Sequence, residues 1–103
     1  MNFQKKHLEK ILDYIYNKPN CIVSVKRIRE YYDRGSEERS FINFIWRWLR
    51  NLESSNVLVL VKNHSANRYK VRDEVRDFLK KNKEKFKIEH FKDEIFRKFG
   101  FKD

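Results

Sequence analysis

The stretch Ile45-Trp46-Arg47-Trp48-Leu49-Arg50-Asn51-Leu52-Glu53-Ser54-Ser55-Asn56-Val57-Leu58 decides how this chain folds. It starts as an amphipathic helix, breaks at three short polar residues and passes at once into an apolar, β-branched run. Extended backwards, the helix opens at Ser36, a candidate N-cap. Glu37 and Glu38 then fall in the first turn, where carboxylates complement the helix dipole. The helix runs to about Glu53. At about 100° per position, Phe41, Ile45, Trp48, Leu49 and Leu52 share one face, with Ile42 and Phe44 at its margins. Arg39, Asn43, Trp46, Arg47 and Arg50 share the other. The three carboxylates of 36–53 sit at its two ends. A segment of zero net charge therefore presents an arginine stripe along its middle.

Downstream, Val57–Val61 is too short for a helix and reads as a strand. Asn63–Asn67 is a turn. Arg68-Tyr69-Lys70-Val71-Arg72 alternates polar and apolar, as a half-buried strand does. The two runs make a β-hairpin. Residues 54–72 hold four basic residues, Lys62, Arg68, Lys70 and Arg72, and no acidic one. Asp73 caps a last helical region, with Val75, Phe78, Leu79 and Phe86 on one stripe. Ile88, Phe91, Ile95, Phe96 and Phe99 form another, ending at Gly100. The stripe changes phase across Lys80–Lys87, which reads as a loop or as continuous helix.

Upstream, Leu8, Ile11, Leu12 and Ile15 recur at helical spacing over Phe3–Asn17, with Lys5, Lys6, Glu9, Lys10 and Asp13 between them. Asn17-Lys18-Pro19-Asn20 is a turn. Cys21-Ile22-Val23 is a short extended run in which Cys21 reads as a small buried residue. Ser24 is an N-cap candidate for a helix with Val25, Ile28 and Tyr32 on one face. Asp33-Arg34-Gly35 closes it, with the glycine in the C-terminal role. His7 and His90 read as boundary residues on helices.

The chain has 103 residues, enough for one small domain, and 25 basic against 15 acidic residues give it a net charge of +10. That balance favours polyanionic partners, nucleic acid first and anionic membrane second. No apolar stretch approaches the roughly 18 residues that cross a bilayer. The first residues show no apolar core followed by a small-residue cleavage site, so no signal peptide is expected. One cysteine cannot make an internal disulfide, which suggests a reducing, cytoplasmic setting, or the host cytoplasm if the source is viral. Four-ligand zinc chemistry has too few donors. Glycine is too scarce for a phosphate loop, and no nucleophile–base grouping assembles, so no enzyme, cofactor, metal or small-molecule substrate is expected.

The element order is helix, short strand, helix, helix, hairpin, helix. From about residue 8 to 79 the chain resembles the winged helix-turn-helix family. The resemblance rests on the quoted helix–break–strand run, on the closing Tyr69-Lys70-Val71 strand, and on Ile22-Val23-Ser24-Val25 through Ile28, which looks like the family's entry into its second helix. It implies a mainly α fold with a small β-hairpin: a winged-helix domain over 1–79 and a C-terminal helical extension over 80–103. It also implies a double-stranded DNA-binding protein, sequence-specific and acting as a small transcriptional regulator. Helix 36–53 would then lie in the major groove, where Arg39, Arg47 and Arg50 can pair with guanine and Asn43 with adenine. Lys62, His64, Arg68 and Lys70 of the hairpin would approach phosphate or the minor groove. Ser24 and Lys26 would reach phosphate at the start of the second helix.

Two features depart from the family's pattern. Trp46 stands where a small polar residue is more usual and would meet sugars, methyls or protein. The loop Asp33–Ser40 is long and charged. The aromatic tail exceeds what such a core needs, so Phe86, Phe91, Ile95 and Phe99 are expected to form a homodimer surface; the alternative is that the tail folds back. Composition and size suggest an archaeal or archaeal-virus source. Two other functions compete. One is a non-specific architectural DNA-binding protein. The other is a winged-helix protein–protein interaction module anchored by Trp46 and Phe44.

Overall fold

The computed structural model describes residues 3–35, 37–61, 67–81 and 87–101. Ser36, Lys62, His64 and Phe86, and most of the hairpin turn, lie outside them. The described chain is mainly helical, with a small two-stranded antiparallel sheet. The order is α1 (Phe3–Asn17), α2 (Val25–Tyr31), α3 (Arg39–Ser54), β1 (Leu58–Val61), β2 (Arg68–Val71), α4 (Asp73–Lys81) and α5 (Ile88–Lys98).

Each element follows from local chemistry. The turn after α1 delivers an extended segment whose Val23 pairs with Tyr69, donating N–H to O at 2.7 Å and accepting in return at 2.8 Å. The segment thus adds a one-residue third edge to the sheet. Ser24 then caps α2: its Oγ accepts from the Arg27 N–H at 3.1 Å. Asn56 follows α3 at φ 66°, a left-handed conformation that asparagine tolerates. That single residue reverses the chain into β1, which pairs Leu58 with Val71 and Leu60 with Tyr69. Gly100 ends α5 at φ 79°, the role its position suggests.

Four local expectations are corrected. Helix α2 stops at Tyr31, and Asp33, at φ 54°, takes the left-handed conformation expected of Gly35. An Asp side chain tolerates that conformation, so the glycine is not required for it. Helix α3 starts at Arg39, not at Ser36, and has no acidic residue in its first turn. The Glu38 carboxylate is drawn instead to Arg34, which donates to it at 2.9 Å and also lies over the Phe41 ring at 5.4 Å. Asp73 is the first residue of α4, where its carboxylate pairs with Arg76 at 3.2 Å. Cys21 is exposed, because the turn closed by its N–H to the Lys18 carbonyl holds it outside and Val23 takes the inward position.

One core runs through the molecule. Leu8, Ile11, Leu12 and Ile15 of α1 are fully buried, against Ile45, Leu49 and Leu52 of α3 and Val23, Leu58 and Val71 of the sheet. Two tyrosine hydroxyls tie α1 to its neighbours. Tyr14 donates to the Ile22 carbonyl and Tyr32 to the Lys10 carbonyl, each at 2.7 Å. Burial raises the pKa of both, and of Tyr69, above the ordinary tyrosine value of 10.0.

The tail folds back. Phe91, Ile95 and Phe96 of α5 join the same core as α1, and Phe99 and Phe101 pack on Trp48 at ring distances of 5.1 and 5.7 Å. Phe91 and Ile95, expected on an outer dimer surface, are therefore covered by their own chain, and Phe99 is half-buried. The docking uses the polar flank of α1. Lys92 reaches Asp13 at 2.8 Å and Glu9 at 3.6 Å, and Lys5 lies over the Phe96 ring at 4.9 Å. Lys98 also donates to the Ser55 carbonyl at 2.8 Å, satisfying an open carbonyl at the end of α3. Helix α5 thus follows the hairpin in the chain but shares its core.

Two outcomes follow. Phe96→Ala should lower the unfolding free energy by about 3 kcal/mol in urea titrations, the usual cost of deleting a buried phenylalanine. An independent tail would leave the main transition unchanged. A raised folded pKa means that the native state holds the tyrosine protons longer, so stability is intact below about pH 10 and falls as pH rises above it. A urea series at rising alkaline pH should show the midpoint dropping, and less so in a Tyr14→Phe, Tyr32→Phe variant.

Candidate nucleic-acid interface

Burying Phe41, Ile45, Trp48, Leu49 and Leu52 leaves α3 no freedom about its axis. Arg39, Asn43, Trp46, Arg47 and Arg50 are then all exposed, as their spacing predicts. Lys26 and Arg27 of α2 and Arg68 and Lys70 of β2 are exposed as well.

Charge pairing separates this face from the rest. The ion pairs of the described residues involve Arg34, Arg72, Arg76 and Lys92. None uses Arg39, Arg47, Arg50, Lys26, Arg27, Arg68 or Lys70. Seven cations on α2, α3 and β2 therefore remain available to an external anion.

The three elements enclose a groove of about 550 Å³. Val25, Ile42, Trp46, Leu49 and Tyr69 supply its apolar wall; Lys26, Arg27 and Arg68 supply cations, and Glu30 the one carboxylate. Trp46 also borders a second cleft, of about 230 Å³, with Arg47, Arg50, Asn51 and Ser54. Arg50 lies over the indole, its guanidinium carbon 4.9 Å from the ring centre. That cation–π contact restricts the Arg50 side chain and covers part of an otherwise exposed ring.

The structure sorts the predicted contact residues into three groups. Arg39, Asn43, Trp46, Arg47 and Arg50 share one helix face; Lys26, Arg68 and Lys70 are exposed on the neighbouring elements. Ser24 borders the groove but is buried, with its hydroxyl engaged in the α2 cap, so its role is to start the helix. Lys62 and His64 lie outside the described residues. Arg27 reads from the sequence as an outer residue of the second helix but not as a contact residue. The signal was available: Ser24 as N-cap makes it the third residue of a short helix that starts beside the groove. Phe44 is not a free anchor, because His7 stacks on it at 4.5 Å and 18°.

No acidic, histidine or cysteine cluster able to hold a metal ion occurs among the described residues. None of their helices is long and apolar enough to cross a membrane. No family model, curated protein or solved structure matches the chain.

The two tryptophans differ sharply, with Trp46 43 % exposed and Trp48 6 %. Acrylamide should quench the first readily and the second weakly. Trp46→Phe should leave one blue-shifted, poorly quenched emitter, as fluorescence titration will show.

Proposed function

We propose that the chain is a winged helix-turn-helix protein that binds double-stranded DNA, with α3 as its recognition helix. On this reading it acts as a small, sequence-specific transcriptional regulator. The observation that carries it is the stripe Arg39, Asn43, Arg47 and Arg50, exposed on one face of α3 and free of carboxylate partners among the described residues. The residue types fit the work. An α-helix fits the major groove, arginine offers two parallel donors to guanine, and asparagine can donate to and accept from adenine. Lys26 and Arg27 on one side, and Arg68 and Lys70 on the other, suit the phosphate contacts that fix register but carry no sequence information.

Two features of the chain path support the winged-helix reading: three helices precede a hairpin, and the Val23–Tyr69 bridge adds an edge to its sheet from between the first two helices. On this reading the hairpin is the wing.

Trp46 favours a second reading. An exposed indole is a common protein anchor, so the same face would suit an acidic protein partner.

Binding to labelled duplex DNA across a salt series tests the proposal, with an Arg47→Glu, Arg50→Glu variant beside the native chain. Native affinity should fall steeply with salt. The variant should bind on the order of 100-fold more weakly, with a shallower salt dependence, because two cations facing the polyanion have become anions. Matched competitor DNA then separates a regulator, which keeps its preferred site, from an architectural protein, which does not. No binding at low salt would overturn the nucleic-acid reading and favour the protein partner.

A further inference from the structure

The face formed by α4, α5 and the Asn56-Val57 segment before β1 is unlike the α3 face in both charge and shape. Helix α4 holds three acidic and three basic residues, and α5 the same. In a chain of net charge +10, these two helices are electrically neutral. Between them lies a groove of about 590 Å³, walled by Val57, Val75, Phe78, Phe91 and Ile95. Phe78, on its α4 border, is 44 % exposed, although the neighbouring Leu79 is buried. A large aromatic ring thus stands at the edge of an apolar depression.

The rim carries both signs. Glu94 and Arg97 border the groove from α5, three residues apart, so both lie on one side of the helix. Neither pairs with a charge among the described residues. Glu74 and Lys98 also border it, but Arg72 holds the first at 2.7 Å and the Ser55 carbonyl the second at 2.8 Å.

We propose that this face is the interface between two copies of the chain, related by a two-fold axis running between their α5 helices. Phe78 of each copy enters the groove of the other, and Glu94 of each copy meets Arg97 of the other. A two-fold contact demands a self-complementary surface, in which residue i meets j and j meets i. A projection beside a depression, and an acid beside a base, satisfy that demand on one patch. That self-complementarity is what singles out a second copy as the occupant. Two chains of +10 repel one another overall, and a contact through α4 and α5, which carry no net charge, adds no further repulsion at the interface. The inference is independent of whether α3 binds DNA.

Sedimentation equilibrium of the purified chain, without nucleic acid, tests it over a concentration series. The native chain should approach twice its 12.9 kDa mass as concentration rises. Phe78→Glu should return it to the single-chain mass with an unchanged far-ultraviolet spectrum, since Phe78 is not in the core. Glu94→Arg and Arg97→Glu should each be monomeric alone. Mixed together they should dimerise, because each mixed pair restores two opposite-charge contacts. A native chain that stays monomeric throughout overturns the proposal. So does a dimer that survives Phe78→Glu, and so does failure of the mixture to associate.

Discussion

Four aliphatic side chains of α1, Leu8, Ile11, Leu12 and Ile15, lose all contact with solvent, and the placement of the rest follows from that burial. Helix α3 covers them with its own apolar face, which fixes its rotation and sends the arginine stripe outward. The Val23 segment and Val71 close the sheet end of the same core, so the hairpin is held beside α3. A surface of long, charged side chains has little means of positioning itself. Here its geometry is borrowed from a core that contains none of its residues.

What the sequence disclosed, and what it hid, divides along the same line. The register of α3 was legible because burial on one helix face leaves a period of about 3.6 in the residue types. All five residues assigned inward are buried, and all five assigned outward are exposed. The α2 cap was legible because serine before a helix satisfies a specific open N–H. The docking of α5 was not, and its chemistry shows why. Lys5, Glu9 and Asp13 read as a solvated flank of α1, yet they receive α5 through Phe96 and Lys92. Helical spacing marks apolar contacts but is blind to contacts made by ion pairs and by cations over rings. A surplus of phenylalanine in the tail was visible. The surface that takes it was written in charged residues.

The start of α3 failed for a related reason. Glu37 and Glu38 follow Ser36 as the carboxylates of a first turn would, and local chemistry offers no objection. Glu38 has another partner in Arg34, four residues back and outside the helix. An exposed ion pair and a dipole contact are each worth a few tenths to about 1 kcal/mol, so the carboxylates alone do not set where the helix begins. The left-handed position passed to Asp33 and away from Gly35 because Asp is one of the few side chains that accept it.

Within the outer face of α3, the three arginines are not equivalent. Arg50 is held over Trp46 at 4.9 Å, so part of the side-chain entropy that binding would otherwise cost is already spent on folding. Arg39 and Arg47 have no such restraint among the described residues. A preorganised guanidinium suits a contact whose geometry must be met, such as the paired acceptors of one base edge. Free ones suit phosphates, which accept donors from many directions and can be reached in several rotamers. Under the nucleic-acid reading, the tryptophan that departs from the family's pattern is then the support of the residue beside it. Its exposed indole gives Arg50 a fixed platform, which a small polar residue at the same position could not.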